Sequence, residues 1–392
     1  MAIVRTDIPM TSELCEQTIQ KLAEAYPFLK ATVLTTTAFG RPLYAIRIGD
    51  GDRQVMFSAA HHANEWITTP LLLKFTEELA EAFQKGGSVY GVPARTILKY
   101  STIHLVPMVD PDGVDLVTGA IRPLTPEYNI ARQIAGDFPN IPFPDGWKAN
   151  LLGVDLNLQY PAGWLQAREI KFSQGYTRPA PRDYVGRAPL NQKESGALAG
   201  YTEEIEPELI LAYHTQGKVI YWQFRDYQVP GAKLLGEEFA RLSGYDLEDT
   251  PYESSFAGYK DWYIQEYLRP GLILFSVVVL LLAAGVISTT DALAGFSNKG
   301  MITVALLFLV SEGIRSSECL TPIMSHLFPT PEGSTIRSGY IRIVPTVAFI
   351  SAFLNNTPIV VIFIPHIKAW CKRAGLSLKK FLIPLSYSAI LG

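Results

Sequence analysis

Residues 53–75 read RQVMFSAAHHANEWITTPLLLKF, and the change of texture halfway along decides the fold class. RQVMFSAA (53–60) is a strand candidate. From about 65 to 84 the apolar side chains Leu71, Leu72, Leu73, Phe75, Leu79 and Phe83 read as a helix. Upstream, ATVLTT (31–36) and PLYAIRIG (42–49) are further strand candidates, and Gly49-Asp50-Gly51 is a hairpin signal joining the latter to RQVMFSAA. An amphipathic helix at 12–27, closed by Pro27, precedes them. Downstream, IHLVPMV (103–109), ELILAYH (208–214) and KVIYWQF (218–224) are short apolar runs of the kind that fill the middle of a sheet, and 231–244 reads as helix. Strands alternating with helices around buried central strands predict an α/β layer fold. The stretch 110–206, rich in Pro, Gly and Asn, is long for a connection and reads as functional loop material.

The 392 residues carry 34 basic and 37 acidic side chains, a formal net charge of -3, but the charge is unevenly spread. Through Gly271 there are 25 basic and 33 acidic side chains, and beyond it 9 and 4. LILFSVVVLLLAAGVIS (272–288) begins at the same point and is uncharged for 17 positions, long enough for a short membrane span. Further apolar stretches follow at 300–311 and 343–354, then Asn355-Asn356-Thr357-Pro358. Two parts are predicted, 1–271 and 272–392, the second an α-helical transmembrane fragment with broken helices. Segment 317–338 reads as a loop. The basic cluster Lys368–Lys380 is expected on the cytoplasmic side of the bilayer. Three cysteines exclude a disulfide framework. The acidic first part excludes nucleic acid as a partner. No apolar leader follows Arg5, so a cytoplasmic start is expected.

Among six histidines, His61 and His62 stand in the strand-to-helix turn, with Glu65 three residues after His62, and His214 ends an apolar strand. Two histidines and one glutamate with an open position make a catalytic zinc set. A catalytic histidine with its carboxylate orienter and no metal is the rival reading. His61 points away from its neighbour if the strand persists, and reads as structural.

HHANEWITTP, MVDPDGVD (108–115), GVDLNLQYPAGW (153–164), AYHTQG (212–217) and AGYKDW (257–262), in this order, resemble the zinc carboxypeptidase family. The bacterial branch that cleaves the γ-D-glutamyl–diaminopimelate bond of cell-wall peptides is the nearest likeness. The resemblance implies a mixed, mostly eight-stranded sheet flanked by helices, with zinc on His62, Glu65 and His214. It places Asn157 at the substrate carboxylate, where the usual neighbouring arginine is Leu158. Lys148 and Asn150 fall where the oxyanion-binding arginine is sought. Tyr252, or else Tyr259, matches the mobile tyrosine. The general-base glutamate, 14 residues after the aspartate that matches Asp261, falls on Phe275. Glu266, the nearest carboxylate, reads as structural. The carboxypeptidase-like part is therefore expected to stop at 271, without its C-terminal strand and helix, and its peptidase activity to be impaired.

VISTTDALAGFSNKGMITVALLFLVSEGIRSS (286–317) and SAFLNNTPIVVIFIP (351–365) resemble the divalent-anion/sodium and citrate or arsenite permease superfamily. This resemblance implies an anion and sodium site at Asn355, Asn356 and Thr357. Three readings follow: a membrane-bound, base-deficient zinc peptidase acting on cell-wall peptides, a non-catalytic zinc-binding membrane protein or transporter fragment, or two genes joined at Pro270-Gly271. In the last case the peptidase part is cytoplasmic.

Overall fold

The structure, a computed structural model, describes residues 2–275 except Tyr90 and Gln216, then 335–351 and scattered positions between 363 and 384. The chain forms two compact units, Met1–Thr289 and Thr290–Gly392.

In the first unit the strands are β1 (Lys30–Thr36), β2 (Pro42–Ile48), β3 (Arg53–Ala59), β4 (Ser88–Val89), β5 (Val92–Pro93), β6 (Ser101–Val106), β7 (Leu209–His214), β8 (Val219–Tyr221), β9 (Asp246–Glu248) and β10 (Gly271–Phe275). The helices are α1 (Ser12–Ala25), α2 (Thr68–Lys85), α3 (Ala94–Tyr100), α4 (Pro111–Val117), α5 (Pro126–Gly136), α6 (Trp164–Ser173), α7 (Lys193–Ile205), α8 (Ala232–Ser243) and α9 (Tyr259–Tyr267). Eight strands form one mixed sheet in the order β1-β2-β6-β3-β7-β10-β8-β9. Its centre, β6-β3-β7-β10, is parallel, which suits strands apolar on both faces. Ile19 and Leu22 of α1 and Leu72, Leu73 and Leu79 of α2 cover one face over Ile46, Ile103 and Leu105. Leu198 of α7 and Trp262, Tyr263 and Ile264 of α9 cover the other over Met56, Ile210, Ala212 and Ile273.

Three expectations are corrected. Gly49-Asp50-Gly51 is not a hairpin: β6 lies between β2 and β3, antiparallel to one and parallel to the other. The glycines serve close approach instead. A Cβ on Gly51 would stand 2.1 Å from the Ser101 nitrogen, and one on Gly49 2.4 Å from the Ser101 oxygen. Second, the stretch 110–206 holds four helices, α4 to α7, rather than loop alone.

Third, the sheet does not stop at 271. Gly271–Phe275 forms β10, parallel to β7 and antiparallel to β8. The apolar run taken for the start of a span thus begins inside the sheet. Without it, β7 and β8 would each present a row of unpaired backbone groups. Leu272, Ile273 and Leu274 are buried there, each contributing about 1.5–3 kcal/mol. The helix expected to be missing after this strand lies outside the described residues.

A buried polar chain fixes one protonation state in the sheet. The Gln54 side-chain NH2 donates to the carbonyls of Gly51 and Asp52, so its oxygen faces His104 Nε2 at 2.9 Å. That nitrogen must donate, which leaves Nδ1 to accept from the Tyr201 hydroxyl at 2.6 Å. Burial, with Arg47 nearby, lowers the His104 pKa to about 4. An unfolded histidine titrates near ~6.5, so between about 6.5 and 4 the unfolded chain binds a proton that the fold refuses. Stability therefore falls as pH falls through that window, by on the order of 3 kcal/mol in all and about 2 kcal/mol by pH 5. Urea unfolding at pH 7.5 and 5 should show a drop in the parent chain that shrinks in His104→Gln; an equal drop in both would contradict this.

In the second unit the helix α10 (Ile336–Ser351) contains Pro345 and starts inside the segment read as a loop to 338, a further correction. Among the described residues no helix is long and apolar enough to cross a membrane. The span expected at 300–311, all of 272–288 beyond residue 275, and Asn355, Asn356 and Thr357 lie outside the described residues.

Candidate metal centre

The turn between β3 and α2 is set by backbone chemistry before any ligand is considered. Ala60 adopts a left-handed φ of 48°, which ends the strand. Its N–H donates to the Thr68 hydroxyl, which in turn donates to the Glu65 carbonyl. The short 3-10 turn Ala63–Glu65 follows directly, with His62 in extended conformation before it. This brings His62 and Glu65 to one side, and β7, hydrogen-bonded next to β3, delivers His214 at its C-terminal end.

His62 Nδ1 lies 3.1 Å from Glu65 Oε2, His214 Nδ1 2.8 Å from the same oxygen, and the two Nδ1 atoms are 3.3 Å apart. A tetrahedral ion with bonds of about 2.0–2.1 Å separates its ligand atoms by about 3.3 Å, close to this triangle. Glu65 and His214 are fully buried, and Glu65 Oε1 has no hydrogen-bond partner. A buried carboxylate oxygen without a hydrogen bond, its nearest cation the Lys148 ammonium 4.0 Å away, is costly unless a metal ion binds. The donor set and the orphaned oxygen both fit zinc.

Asp155 faces the other side of His62, with Oδ1 3.4 Å from Nε2. It is held in place by the N–H groups of Asn157 and Asp183. Burial opposes its ionisation, but the His62 imidazole outweighs this and keeps Asp155 below the usual carboxylate range. Burial likewise opposes a charge on Glu65, and His62 and His214 overcome it, so its pKa is lowered. For His62 burial is outweighed by Glu65 and Asp155, which raise its pKa to about 9. His214 goes down, chiefly by burial, against the pull of Glu65. His61 is buried with neither ring nitrogen hydrogen-bonded, and it stacks between the rings of His214 and Tyr259. Burial drives its pKa well down, as befits a packing group.

Sequence reading did not single out Asp155, although it sits inside the quoted GVDLNLQYPAGW; what points to it is only the meeting of that loop with His62. Asp155→Asn should weaken zinc binding by about 10- to 100-fold, because a ligand histidine loses the carboxylate that orients it. Competition with a chromophoric chelator would measure this, and an unchanged affinity would remove Asp155 from the account.

The other expected site residues are scattered in role. The Lys148 carbonyl accepts from Ala63 N–H, and its ammonium lies 4.0 Å from Glu65 Oε1, so Lys148 joins the cluster. Asn150 does not. It is buried, its oxygen accepts from Leu152 and Val154 N–H, and its NH2 donates to Gln192, so it staples its own loop. Asn157 is half-buried; its oxygen accepts from Tyr259 N–H, which orients its NH2 group. Tyr252 is 66% exposed, in a short 3-10 turn, with its ring edge-on to Phe256. Tyr259, the alternative, is fully buried, and its hydroxyl is engaged by Thr202 and Met56, so it is a core residue. Glu266 is exposed on α9. The backbone of residue 275 is in register with His214 across β10 and β7.

Residues 15–264 match the family described as zinc carboxypeptidase, and residues 262–392 the family described as citrate transporter. Gamma-D-glutamyl-L-diamino acid endopeptidase 1 of Lysinibacillus sphaericus is 42% identical over 253 residues, 64% of this chain and 62% of that protein. Sodium/sulfate cotransporter 1 of Chlamydomonas reinhardtii is 38% identical over 123 residues, 31% of this chain and 14% of that protein. The chain thus spans less than two thirds of the first relative's length and a small part of the second's. Carboxypeptidase A from Helicoverpa armigera superposes with a TM-score of 0.54 over 69% of this chain and 65% of that one, at 18% identity, a likeness of fold.

Proposed function

Since the chain belongs to the zinc carboxypeptidase family through residues 15–264, we propose that it is a zinc metallopeptidase directed at cell-wall peptides, at a γ-D-glutamyl–diaminopimelate bond, with its catalytic rate impaired. The observation that carries the metal is the His62, Glu65 and His214 cluster, whose ligand atoms all lie within 4.8 Å of one another. What supports the substrate is the name of the 42%-identical relative. Bound zinc supplies a Lewis acid that polarises a carbonyl and acidifies water.

The protein's own groups do the rest. Asp155 keeps Nε2 of His62 engaged, so Nδ1 is the ligand atom. Lys148 provides positive charge beside the cluster for a developing oxyanion. The NH2 of Asn157 and the exposed Tyr252 are assigned to substrate. A proton acceptor is what this set lacks: the family's glutamate position falls on Phe275, and a side chain without a basic atom cannot take the proton that hydrolysis releases.

For residues 272–392 we propose a lipid-bilayer partner and a membrane location, with an anion and sodium site at Asn355, Asn356 and Thr357. The citrate transporter match supports this. The peptidase part is placed on the cytoplasmic side. The test of the peptidase reading is uptake of one zinc per chain together with slow release of diaminopimelate from a synthetic γ-D-glutamyl–diaminopimelate peptide. A chain that takes up no zinc would refute it, and zinc uptake without cleavage would reduce it to a non-catalytic zinc-binding protein.

A further inference from the structure

Next to the turn that carries His62 and Glu65, where Asp110 N–H donates to the Ala60 carbonyl, two buried carboxyl groups lie close together. Asp110 is fully buried, and Glu194, in the first turn of α7, is 2% exposed. Each has one oxygen without a hydrogen bond, Oδ2 of Asp110 and Oε1 of Glu194. The other Asp110 oxygen, Oδ1, accepts the Gly113 N–H at 2.9 Å where α4 begins. A Cβ built on Gly113 would stand 2.3 Å from Asp110 Oδ2 and 2.6 Å from the Ala149 carbonyl oxygen, so both oxygens crowd one point above the Gly113 backbone. Among the described residues no N–H or O–H group donates to that carbonyl. Two oxygens that offer only lone pairs, close together and out of water, repel unless a proton stands between them.

No counter-charge resolves this conflict. The charges that act most on Asp110 are all negative: Glu194, Asp112 and Asp155. The cations on the surrounding elements are engaged elsewhere. Arg41, between β1 and β2, is bound by Asp112 and Asp115 of α4, and from α1 Ser12 donates to Asp115. Lys193 of α7 reaches the Thr37 carbonyl. Lys148 lies beside Glu65, and His62 beside Asp155. A carboxylate so placed is far costlier than a carboxylic acid. Burial, with Glu194 beside it, holds the Asp110 carboxyl well above the usual carboxylate range, and burial lifts Glu194 to about 7. The start of α4 pulls the other way, but a single N–H bond does not offset burial among three acids.

We infer that Asp110 is held as a neutral carboxylic acid and that its Oδ2–H donates to the Ala149 carbonyl, fastening the start of α4 to the loop that carries Lys148. Ala149 follows Lys148, whose carbonyl accepts from Ala63 N–H and whose ammonium stands 4.0 Å from Glu65 Oε1. Asp110 is therefore a positioning residue whose side chain acts on the metal cluster through this loop. The fastening has a pH limit. An unfolded chain, with an aspartate pKa near ~3.9, gives up this proton in mild acid, while the fold keeps it. The stability it contributes is full below about 4 and is lost as pH rises, about tenfold in the unfolding constant for each pH unit, until the folded group itself ionises. Beyond that point the bond to Ala149 opens and the loop is released.

The test uses the full zinc-saturated chain in mild detergent without substrate, so the peptidase reading is not at stake. Asp110→Asn is a neutral replacement of the same shape, and its NH2 can make the same bond. Infrared difference spectra at pH 7 should show a carboxylic-acid C=O band that the parent has and Asp110→Asn lacks. In urea unfolding, the ratio of the parent's unfolding constant to that of Asp110→Asn should rise about 100-fold between pH 5 and pH 7. His104, which acts in the opposite direction over part of that range, is common to both chains and drops out of the ratio. Asp110→Leu, which donates nothing, should be less stable than Asp110→Asn by the same factor at both pH values. A ratio that does not change with pH, the absence of the acid band, or failure of Asp110→Asn to fold would overturn the inference. A gain in the parent's stability with calcium or sodium that Asp110→Asn lacks would also overturn it, in favour of a cation between the two carboxylates.

Discussion

Phe275→Glu is expected to raise the rate at which the zinc-loaded chain cleaves a γ-D-glutamyl–diaminopimelate peptide by about 10²- to 10⁴-fold, the contribution of a positioned general base. The position is chosen by two independent routes. Counting 14 residues from Asp261 reaches 275, and the backbone of β10 sets residue 275 level with His214. The backbone of β10 is in register with β7, so on the proposed reading the change tests chemistry rather than scaffold. Phe275→Gln, of the same length and without a basic oxygen, should give no gain. An unchanged rate in Phe275→Glu, with fold and zinc content intact, would show that something other than a missing base limits the reaction.

Glu65→Gln should lower zinc affinity by more than the roughly 10- to 100-fold that loss of an outer hydrogen-bond partner costs, because an anionic ligand atom itself becomes a neutral amide. Glu65 is the only carboxylate in the described three-ligand group, and both imidazoles sit within 3.1 Å of its Oε2. With the charge gone, a dication is left with two neutral nitrogens and the more remote Asp155. The same change relieves an internal conflict in the metal-free chain, where Glu65 Oε1 is buried without a hydrogen-bond partner. The metal-free variant should therefore be no less stable than the parent, while the thermal stabilisation that added zinc confers on the parent should be lost. A melting temperature that rises equally with zinc in both chains would refute the ligand assignment.

Much of the candidate site was legible because it is local. His62 and Glu65 are three apart in a strand-to-helix turn, and a turn of that length can present only a few geometries. His214 closes a short apolar run, a place where a strand hands a side chain to the end of a sheet. The surroundings of Asn150 and Asp155 are not legible in the sequence, for the opposite reason. Both lie in the long stretch between β6 and β7, and their roles depend on which distant group they meet: Gln192 for one, His62 for the other. Tyr252 and Tyr259 could not be ranked by spacing either. One is 66% exposed and the other fully buried, a difference made by the packing of Thr202 and Met56 against α9.

By itself the amino-acid sequence determined the alternation of strands and helices, the three zinc-type ligands, and the change in charge and hydropathy past residue 271. These depend on side chains close together in the chain and on composition, where short-range sterics and solvation dominate. Only the tertiary structure decided that β6 separates β2 from β3, with Gly49 and Gly51 as points of close approach. It alone decided that Leu272–Phe275 starts as a sheet strand. An apolar run reads the same as a buried strand or as part of a membrane span, because both only ask for removal from water. What separates them is whether backbone groups on neighbouring strands await a partner, and here β7 and β8, far apart in sequence order from β10, supply that demand.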